Sequence, residues 1–413
     1  MEHASNVVDV VSAIVLLLLV AAVVLAVTKR IRFPFSVLLV MVGMGMAALV
    51  ERFDALLAPL QHIQLSPALI LYVFLPALIF ESAYNLDSKQ LRQNLRAVLT
   101  LAIPGLLLST AIIGTLLHFA TTIPFSAALL LGAILSATDP VAVIALFKRL
   151  GAPQQLTVLV EGESLFNDAA SIVLSGILVG IVLAGGITGG AVFHGVLKFM
   201  LVFFGGLLVG WLLALLTGWL LGLVESDPAI EITLTTILAY ASFIIAEHAF
   251  QVSGVMATVA AGLTLGGWGR TKLSSTIRTY VEHFWEYIAF VATALIFLMV
   301  GLRVDPLEVF SHADVLVWVI IAMLVSRAVV IFTLIPVVDR FTQSINHTSL
   351  GYQTVMYWGG LRGAIAMAIA LSLPAFEQAG LFVTLVMGAV LFTLLVQGLT
   401  MESLVHWLGL DRM

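Results

Sequence analysis

LLLGAILSATDPVAVIALFKRLG (129–151), followed almost at once by LTVLVEGESLFNDAASIVLSGILVGIVL (156–183), decides how the whole chain is read. Both stretches are apolar enough for lipid, yet four acids interrupt them: Asp139, Glu161, Glu163 and Asp168. An ionised carboxylate at bilayer depth is costly, so it normally faces a water-filled cavity, a counter-charge or a cation. Pro140 removes a backbone donor and disfavours helix at Asp139 before it. A helix broken at membrane depth can turn free carbonyls toward a cation. Asp168 stands seven residues beyond Glu161, roughly 10 Å deeper at about 1.5 Å per helical residue. These features point to an ion-translocation site shared by two neighbouring segments. The competing reading, acids buried in the core of a large soluble enzyme, fails on composition.

The chain has 413 residues, of which 61% are hydrophobic and only 10% charged, and its mean hydropathy is +1.15. Soluble domains are about 45–50% apolar and about 25% charged. Too little polar surface exists to cover a soluble particle, so this is an integral membrane protein. The 33 glycines agree, because small residues let helices approach closely in a bilayer. There is no cysteine, which excludes disulfides and thiolate metal sites. A net charge of −5 with no basic patch gives nucleic acid no footing. The first apolar run, 10–28, ends at Lys29 without a small-residue cleavage site and reads as a retained helix rather than a signal peptide.

A spanning helix needs roughly 20 mainly apolar residues. Candidate spans are 9–28, 33–50, 64–84, 97–117, 125–147, 157–182, 197–221, 230–248, 252–268, 284–302, 314–337, 351–373 and 379–401, with 252–268 short for the purpose. Thirteen spans put the termini on opposite sides. With the N-terminus outside, the inside loops hold Lys29, Arg30, Arg32, Lys89, Arg92, Arg96, Lys148, Arg149, Arg270, Lys272, Arg278, Arg340 and Arg412, and the outside loops only Arg52, Lys198 and Arg303. That asymmetry fixes the direction. The inside loop 222–229 breaks the pattern, carrying Glu225 and Asp227 and no basic residue. About a dozen residues follow the last span, so no regulatory domain is expected there.

Proline or glycine interrupts a span at 138–140 and again at 359–363, about 223 residues later. That offset carries the first six spans onto the last six and leaves 197–221 as a connector, which inverts the second copy. One broken helix in each of two inverted halves is the plan of secondary transporters. The expected fold is therefore an all-α polytopic membrane protein: thirteen transmembrane helices, two inverted six-helix repeats joined by a linker helix, and two broken crossing helices. It is expected to be a multi-pass protein of the cell inner, or plasma, membrane.

At the first break stand Thr138 and Asp139, and the next span holds Ser164, Asn167 and Asp168. Residues four apart share a helix face, which brings Ser164 and Asp168 together and sets Glu163 with Asn167 on an adjoining face. Carboxylates, a hydroxyl, an amide oxygen and freed carbonyls suit a hard monovalent cation, and Asp168 can take a proton in its place. In the bland alternative these groups simply satisfy one another in a bundle. Arg327 and Arg362 also lie inside spans, and since arginine does not lose its proton each needs a carboxylate or water. Glu163 suits one of them, and the sequence leaves open which; the pairing reads as structural. Glu81 closes LYVFLPALIFE near the inner end of its span, either lining an inward funnel or marking the boundary. Glu247 and His248 read as boundary residues, and the other histidines show no metal spacing.

The strings FLPALIFESAYNLD (74–87), GAILSATDPVAVIALFKRLG (132–151), LVEGESLFNDAASIVL (159–174), SRAVVIF (326–332) and GGLRGAIAMAIAL (359–371) together resemble the sodium/proton exchangers of the monovalent cation:proton antiporter superfamily. Among these the chain is similar to the NhaP-type prokaryotic members, relatives of the animal sodium/hydrogen exchangers, over about residues 7–408. The resemblance implies a homodimer of thirteen-helix protomers with no obligate protein partner. It further implies an interface subdomain (1–90 and 229–305), a mobile core subdomain (91–196 and 306–405) and a linker helix (197–221). It implies elevator-type alternating access, exchanging sodium, and lithium with it, for protons. Asp168 matches the essential carboxylate; Asp139, Thr138 and Ser164 match accompanying ion-site residues. Asn167 matches the Asn of the Asn-Asp pair of electroneutral exchangers, so one-for-one exchange is expected. Glu163 with Arg327 or Arg362 matches a buried stabilising pair, and Glu81 an acid on the cytoplasmic approach. No cofactor is implied beyond the transported Na+ and H+, and the chain is not expected to be an enzyme. Many relatives continue into a long soluble tail, so tail-dependent regulation is not expected here.

Two alternatives follow. A potassium/proton antiporter would use nearly the same ligands on the same scaffold. A cation channel would line a continuous pore with repeated rings, whereas this chain has single acids at one depth and paired breaks. An integral membrane enzyme finds no nucleophile–base or metal pattern.

Overall fold

A computed structural model describes residues 2–31, 33–50, 67–151, 154–186, 189–223, 227–269, 275–342 and 349–410. Every one of the thirteen expected spans coincides with a helix or a broken pair of helices among these residues. In chain order they are α1 (Glu2–Ile31), α2 (Phe35–Val50), and α3, which runs on through Pro67–Leu69, Ile70–Phe74 and Leu75–Asn85. Next come α4 (Ser88–Thr100, Leu101–Gly105 and Leu106–Ala120), α5 (Phe125–Ser136), α6 (Val141–Leu150), α7 (Gln154–Leu183) and α8 (Gly189–Leu221). The second half holds α9 (Pro228–Ile244, extended by Ile245–Ala249), α10 (Gly254–Gly267), α11 (Ser275–Arg303), the short α12 (Pro306–Ser311) and α13 (Ala313–Thr342). It ends with α14 (Leu350–Trp358), α15 (Ala364–Leu371) and α16 (Ala379–Phe392, Thr393–Gly398 and Leu399–Trp407). Eight of the described helices are long and apolar enough to cross a membrane unaided. Arg32, Arg52, Glu225, Arg270, Lys272 and Arg412 lie outside the described residues, as do positions 64–66 of the third span and the side chains of Lys148, Arg149 and Arg340.

The helices pack in two groups. In one, α10 lies against α3, α8 and α9, while α11 lies against α1, α2 and α3. In the other, α4 packs on α5 and α13, α7 on α4 and α5, and α16 on α13 and α15. Without a hydrophobic drive between helices in lipid, such packing rests on close approach of small residues. Gly43 on α2 and Gly301 on α11 face each other this closely: a Cβ built at Gly43 would lie 2.5 Å from the carbonyl oxygen of Leu298.

Local chemistry accounts for the irregular places. Pro104 sits in the wide turn Leu101–Gly105, where its missing donor is accommodated by i→i+5 bonding. The short span α10 begins at a double cap, Ser253 Oγ accepting from Met256 N–H at 3.1 Å and Glu247 Oε2 from Gly254 N–H at 3.0 Å. Glu247, read from sequence as a boundary residue, is thus a helix cap as well. The acidic loop before α9 has a similar explanation. Asp227 is the N-cap of α9, accepting from Ala229 N–H at 2.8 Å and Ile230 N–H at 3.2 Å, where a carboxylate is favoured and a basic residue is not.

Candidate ion site at the helix crossing

Helix α5 stops at Ser136 because residues 137–140 cannot continue it. Ala137 turns extended (φ −62°, ψ 136°) and Pro140 has no N–H to give. Helix α14 stops at Trp358 with a turn at Gly359 (φ −78°, ψ 3°), and the backbone stays non-helical to an extended Gly363 before α15 begins at Ala364. The two non-helical pieces cross. Asp139 N–H donates to the carbonyl of Leu361 at 2.8 Å, so the breaks of the two halves satisfy one another. Asp139 Oδ1 also accepts from Val141 N–H at 3.1 Å, capping α6.

The crossing depends on glycine at 363. A Cβ built there would lie 2.5 Å from Asp139 Cβ and closer still to its carboxylate, so any side chain at 363 displaces Asp139. The backbone of Gly363 is extended, so the need is for space, not for unusual torsion angles.

Helix α7 fixes the other side. Its Ser164 hydroxyl donates to the carbonyl of Thr138 at 2.5 Å. Asn167 grips Thr138 twice: Oδ1 accepts from Thr138 N–H at 3.3 Å, and Nδ2 donates to Thr138 Oγ1 at 2.8 Å. Ser171, one turn beyond, donates to the carbonyl of Ala133 at 2.8 Å. Thr138, Ser164 and Asn167 are all buried. Asp139 and Asp168 are half-buried and face a cavity.

That cavity has a volume of about 760 Å³. Its inner end is formed by Thr138, Asp139, Ser164 and Asp168; its far end reaches Asp87, Gly151 and Gln154, at the tips of α3, α6 and α7 that the charge asymmetry assigns to the inside. It runs between the two packing groups, with α3 and α11 on one wall and the 137–140 break, α6, α7 and α15 on the other. Six carboxylates line it, those of Glu81, Asp87, Asp139, Glu161, Asp168 and Glu286, and among the described residues no lysine, arginine or histidine does. Low-dielectric walls carrying one sign of charge concentrate counter-ions, so the cavity draws in cations and repels anions. Glu81 stands on this wall, its Oε1 accepting from Asn85 Nδ2 at 2.8 Å.

Of the two arginines, Arg327 takes Glu163. Its guanidinium grips both carboxylate oxygens, with Nη2 to Oε2 at 3.1 Å, and Nη2 also donates to the carbonyl of Met356 at 3.2 Å. The pair ties α7 to α13 and to the end of α14. Arg362 is buried at the second break, its N–H donating to Thr393 Oγ1 at 3.1 Å, and its side chain makes no ion pair among the described residues. Reasoning from sequence did not assign Glu161 or Glu286 to the site. Glu161 lies seven residues before Asp168, the heptad spacing that returns to one helix face, so it was within reach. Glu286 comes from α11 in the other packing group, and no local pattern announces it.

Two broken helices crossing beside a pair of acids at the end of an acidic cavity, in an all-α membrane bundle, are the architecture of a secondary transporter. Residues 15–407 match the family of transmembrane sodium/hydrogen exchangers. The chain belongs to that family, and it is a multi-pass membrane transport protein, not an enzyme. It is 38% identical over 381 residues to the Na+/H+ antiporter ApNhaP of Aphanothece halophytica, covering 92% of this chain and 70% of that one. It is 34% identical over 409 residues to the Na+/H+ antiporter NhaH of Halobacillus dabanensis, covering 97% and 98%. The solved sodium proton antiporter MjNhaP1 of Methanocaldococcus jannaschii shares the fold, with a TM-score of 0.75 and 18% identity over 98% of this chain and 99% of that one.

Proposed function

We propose that this protein exchanges sodium, and lithium with it, for protons across the plasma membrane, one for one. The observation that carries this reading is the acidic cavity ending on Asp139 and Asp168 at the crossing of the two broken helices. A sodium ion entering from the inside meets carboxylates, the Ser164 and Thr138 hydroxyls and carbonyls freed by the breaks, all oxygen donors of the kind a hard cation prefers. Asp168 carries the exchange, holding either the cation or a proton. Asp139 caps α6 and keeps one protonation state, while Asn167 holds Thr138 in the extended segment without titrating. Glu163 and Arg327 hold the core together, and Glu81 helps load the funnel.

Movement follows from where the cavity lies. The core (91–196 and 306–405) carries both breaks and shifts against the interface subdomain (1–90 and 229–305), with 197–221 as linker, so that the wall opposite α3 and α11 changes. The mean depth of the site then alternates between sides in an elevator motion. The chain works as a homodimer joined through the interface subdomain. The deciding experiment is reconstitution in liposomes with an imposed proton gradient, following sodium, lithium and potassium in turn. Uphill sodium and lithium uptake driven by protons supports the assignment. Uphill potassium uptake without sodium uptake replaces it with a potassium/proton antiporter, and flux running only down the cation's own gradient replaces it with a channel.

A further inference from the structure

Beside the ion-site residues lies a second chamber of about 10 Å³, lined by Asn167 and sharing no lining residue with the large cavity. Its polar wall is Ser109, Ser136, Glu163, Asn167, Arg327 and Arg362, and its apolar wall includes Leu101, Leu106 and Val330. Three guanidinium nitrogens of the two arginines are buried without a hydrogen-bond acceptor: Nε of Arg327, and Nε and Nη1 of Arg362. Leaving a buried donor unsatisfied costs about 1–3 kcal/mol, more where the group is charged. The charge balance adds to the demand, since two guanidiniums face one carboxylate, which Arg327 already grips with both of its Nη atoms.

We propose that this chamber is a binding site for one water molecule, which accepts from the arginines and donates toward Asn167 or Glu163. A water needs roughly 10–15 Å³ of such space and two to four polar partners; the chamber has one such volume and six polar side chains. A chloride would answer the excess positive charge, but it is larger than water and the walls are close. The water gives Arg362 the partner that no carboxylate supplies, and it connects that arginine to the residue that holds Thr138 in the broken segment. Arg362 is thereby a positioning residue, acting on the ion site through Asn167. The site stands on the chamber and its donors and does not depend on which cation is carried.

Microsecond X-ray hydroxyl-radical footprinting of the full-length protein in detergent or nanodiscs tests this, because radicals formed on a bound water oxidise the aliphatic side chains touching it. Leu101, Leu106 and Val330 are each 2–3% exposed, and Leu130, Leu131 and Val319, away from both cavities, are dry controls at 0%. Oxidation of the first three at several-fold the rate of the controls is expected. A pulse of oxygen-18 water should label them more slowly than Leu165 on the large cavity, because the chamber shares no lining residue with that cavity and its walls are buried. Ser109→Leu, which fills the chamber, should return all three to the control rate. Equal oxidation of chamber and control residues in the unmutated protein overturns the proposal, and so does label arriving as fast as at Leu165. Oxidation that is weak in chloride and strong in gluconate would assign the chamber to an anion and overturn it equally.

Discussion

Asp139 N–H donates to the carbonyl of Leu361 at 2.8 Å, so the unwound segment of each half is the hydrogen-bond partner of the other. A backbone donor and acceptor that lipid would leave unmet are paired at bilayer depth, where each unpaired group costs several kcal/mol. The crossing is therefore a load shared by both halves, and a disturbance at one break is felt at the other.

Gly363→Ala is the mildest such disturbance. The added methyl meets Asp139, and the extended backbone at 363 gives it nowhere else to go. Overpacking of this kind costs about 1–3 kcal/mol, and the shift falls on a carboxylate proposed for the ion site. The variant is expected to fold, to melt a few degrees lower, and to need at least tenfold more sodium for half-maximal exchange. An unchanged sodium requirement in a folded G363A protein would show that Asp139 is not part of the ion site.

Asp168→Asn removes the one group assigned to hold cation and proton in turn. The amide neither carries a full charge nor releases a proton, while its size keeps the neighbouring contacts of Ser164 and Asn167 with Thr138. Exchange should vanish with little change in melting temperature. Appreciable sodium-driven proton movement by the folded variant would move the exchanging role to Asp139.

Much of this site was legible in the sequence, for identifiable reasons. Proline, glycine and acids are out of place in lipid, so the breaks at 138–140 and 359–363 and the acid Asp168 announce themselves against an apolar background. The i, i+4 spacing was enough to put Ser164 with Asp168. What stayed hidden depends on packing between distant segments. Arg327 and Arg362 are equivalent as residue types, and only the fold sets Arg327 beside Glu163, 164 positions away. Glu286 enters the cavity from α11, and the requirement for glycine at 363 comes from a carboxylate far away in the chain. The small chamber beside Arg362 is a void, and no residue pattern encodes a void.

Glu163→Gln should act on stability before transport. Arg327 would keep its charge while losing a bidentate carboxylate in a site where Glu163 is only 2% exposed. Breaking a buried pair from one side commonly costs about 3–5 kcal/mol. The expected result is a melting temperature lower by several degrees and a reduced yield of folded protein, with sodium dependence retained in what folds. Wild-type melting together with lost exchange would instead place Glu163 in the ion pathway.

The stoichiometry prediction rests on Asn167. In the proposed cycle, with an amide at that position, Asp168 alone alternates between cation and proton, and each turn moves one positive charge in each direction. A membrane potential does work only on net charge, about 2.3 kcal/mol per elementary charge per 100 mV. Exchange in liposomes should therefore keep its rate when a potassium/valinomycin potential is imposed, once the protein is shown not to carry potassium. Competition for one carboxylate also fixes the pH response. Lower pH fills Asp168 with protons, so the apparent sodium requirement rises, approaching about tenfold per pH unit on the acid side where one proton is displaced per sodium. High sodium shifts the pH optimum downward for the same reason. The challenge to this account comes from Asp139, a second acid facing the same cavity and placed close to Gly363. Were it to release its proton in each cycle, more than one proton would cross per sodium. The exchange would then draw a steady current, and its reversal potential, measured at several sodium and pH values, would report the ratio directly. A reversal potential set by two protons per sodium would remove the one-for-one cycle and give Asp139 a proton-carrying role; the absence of current across that range leaves Asp168 as the single exchanging group.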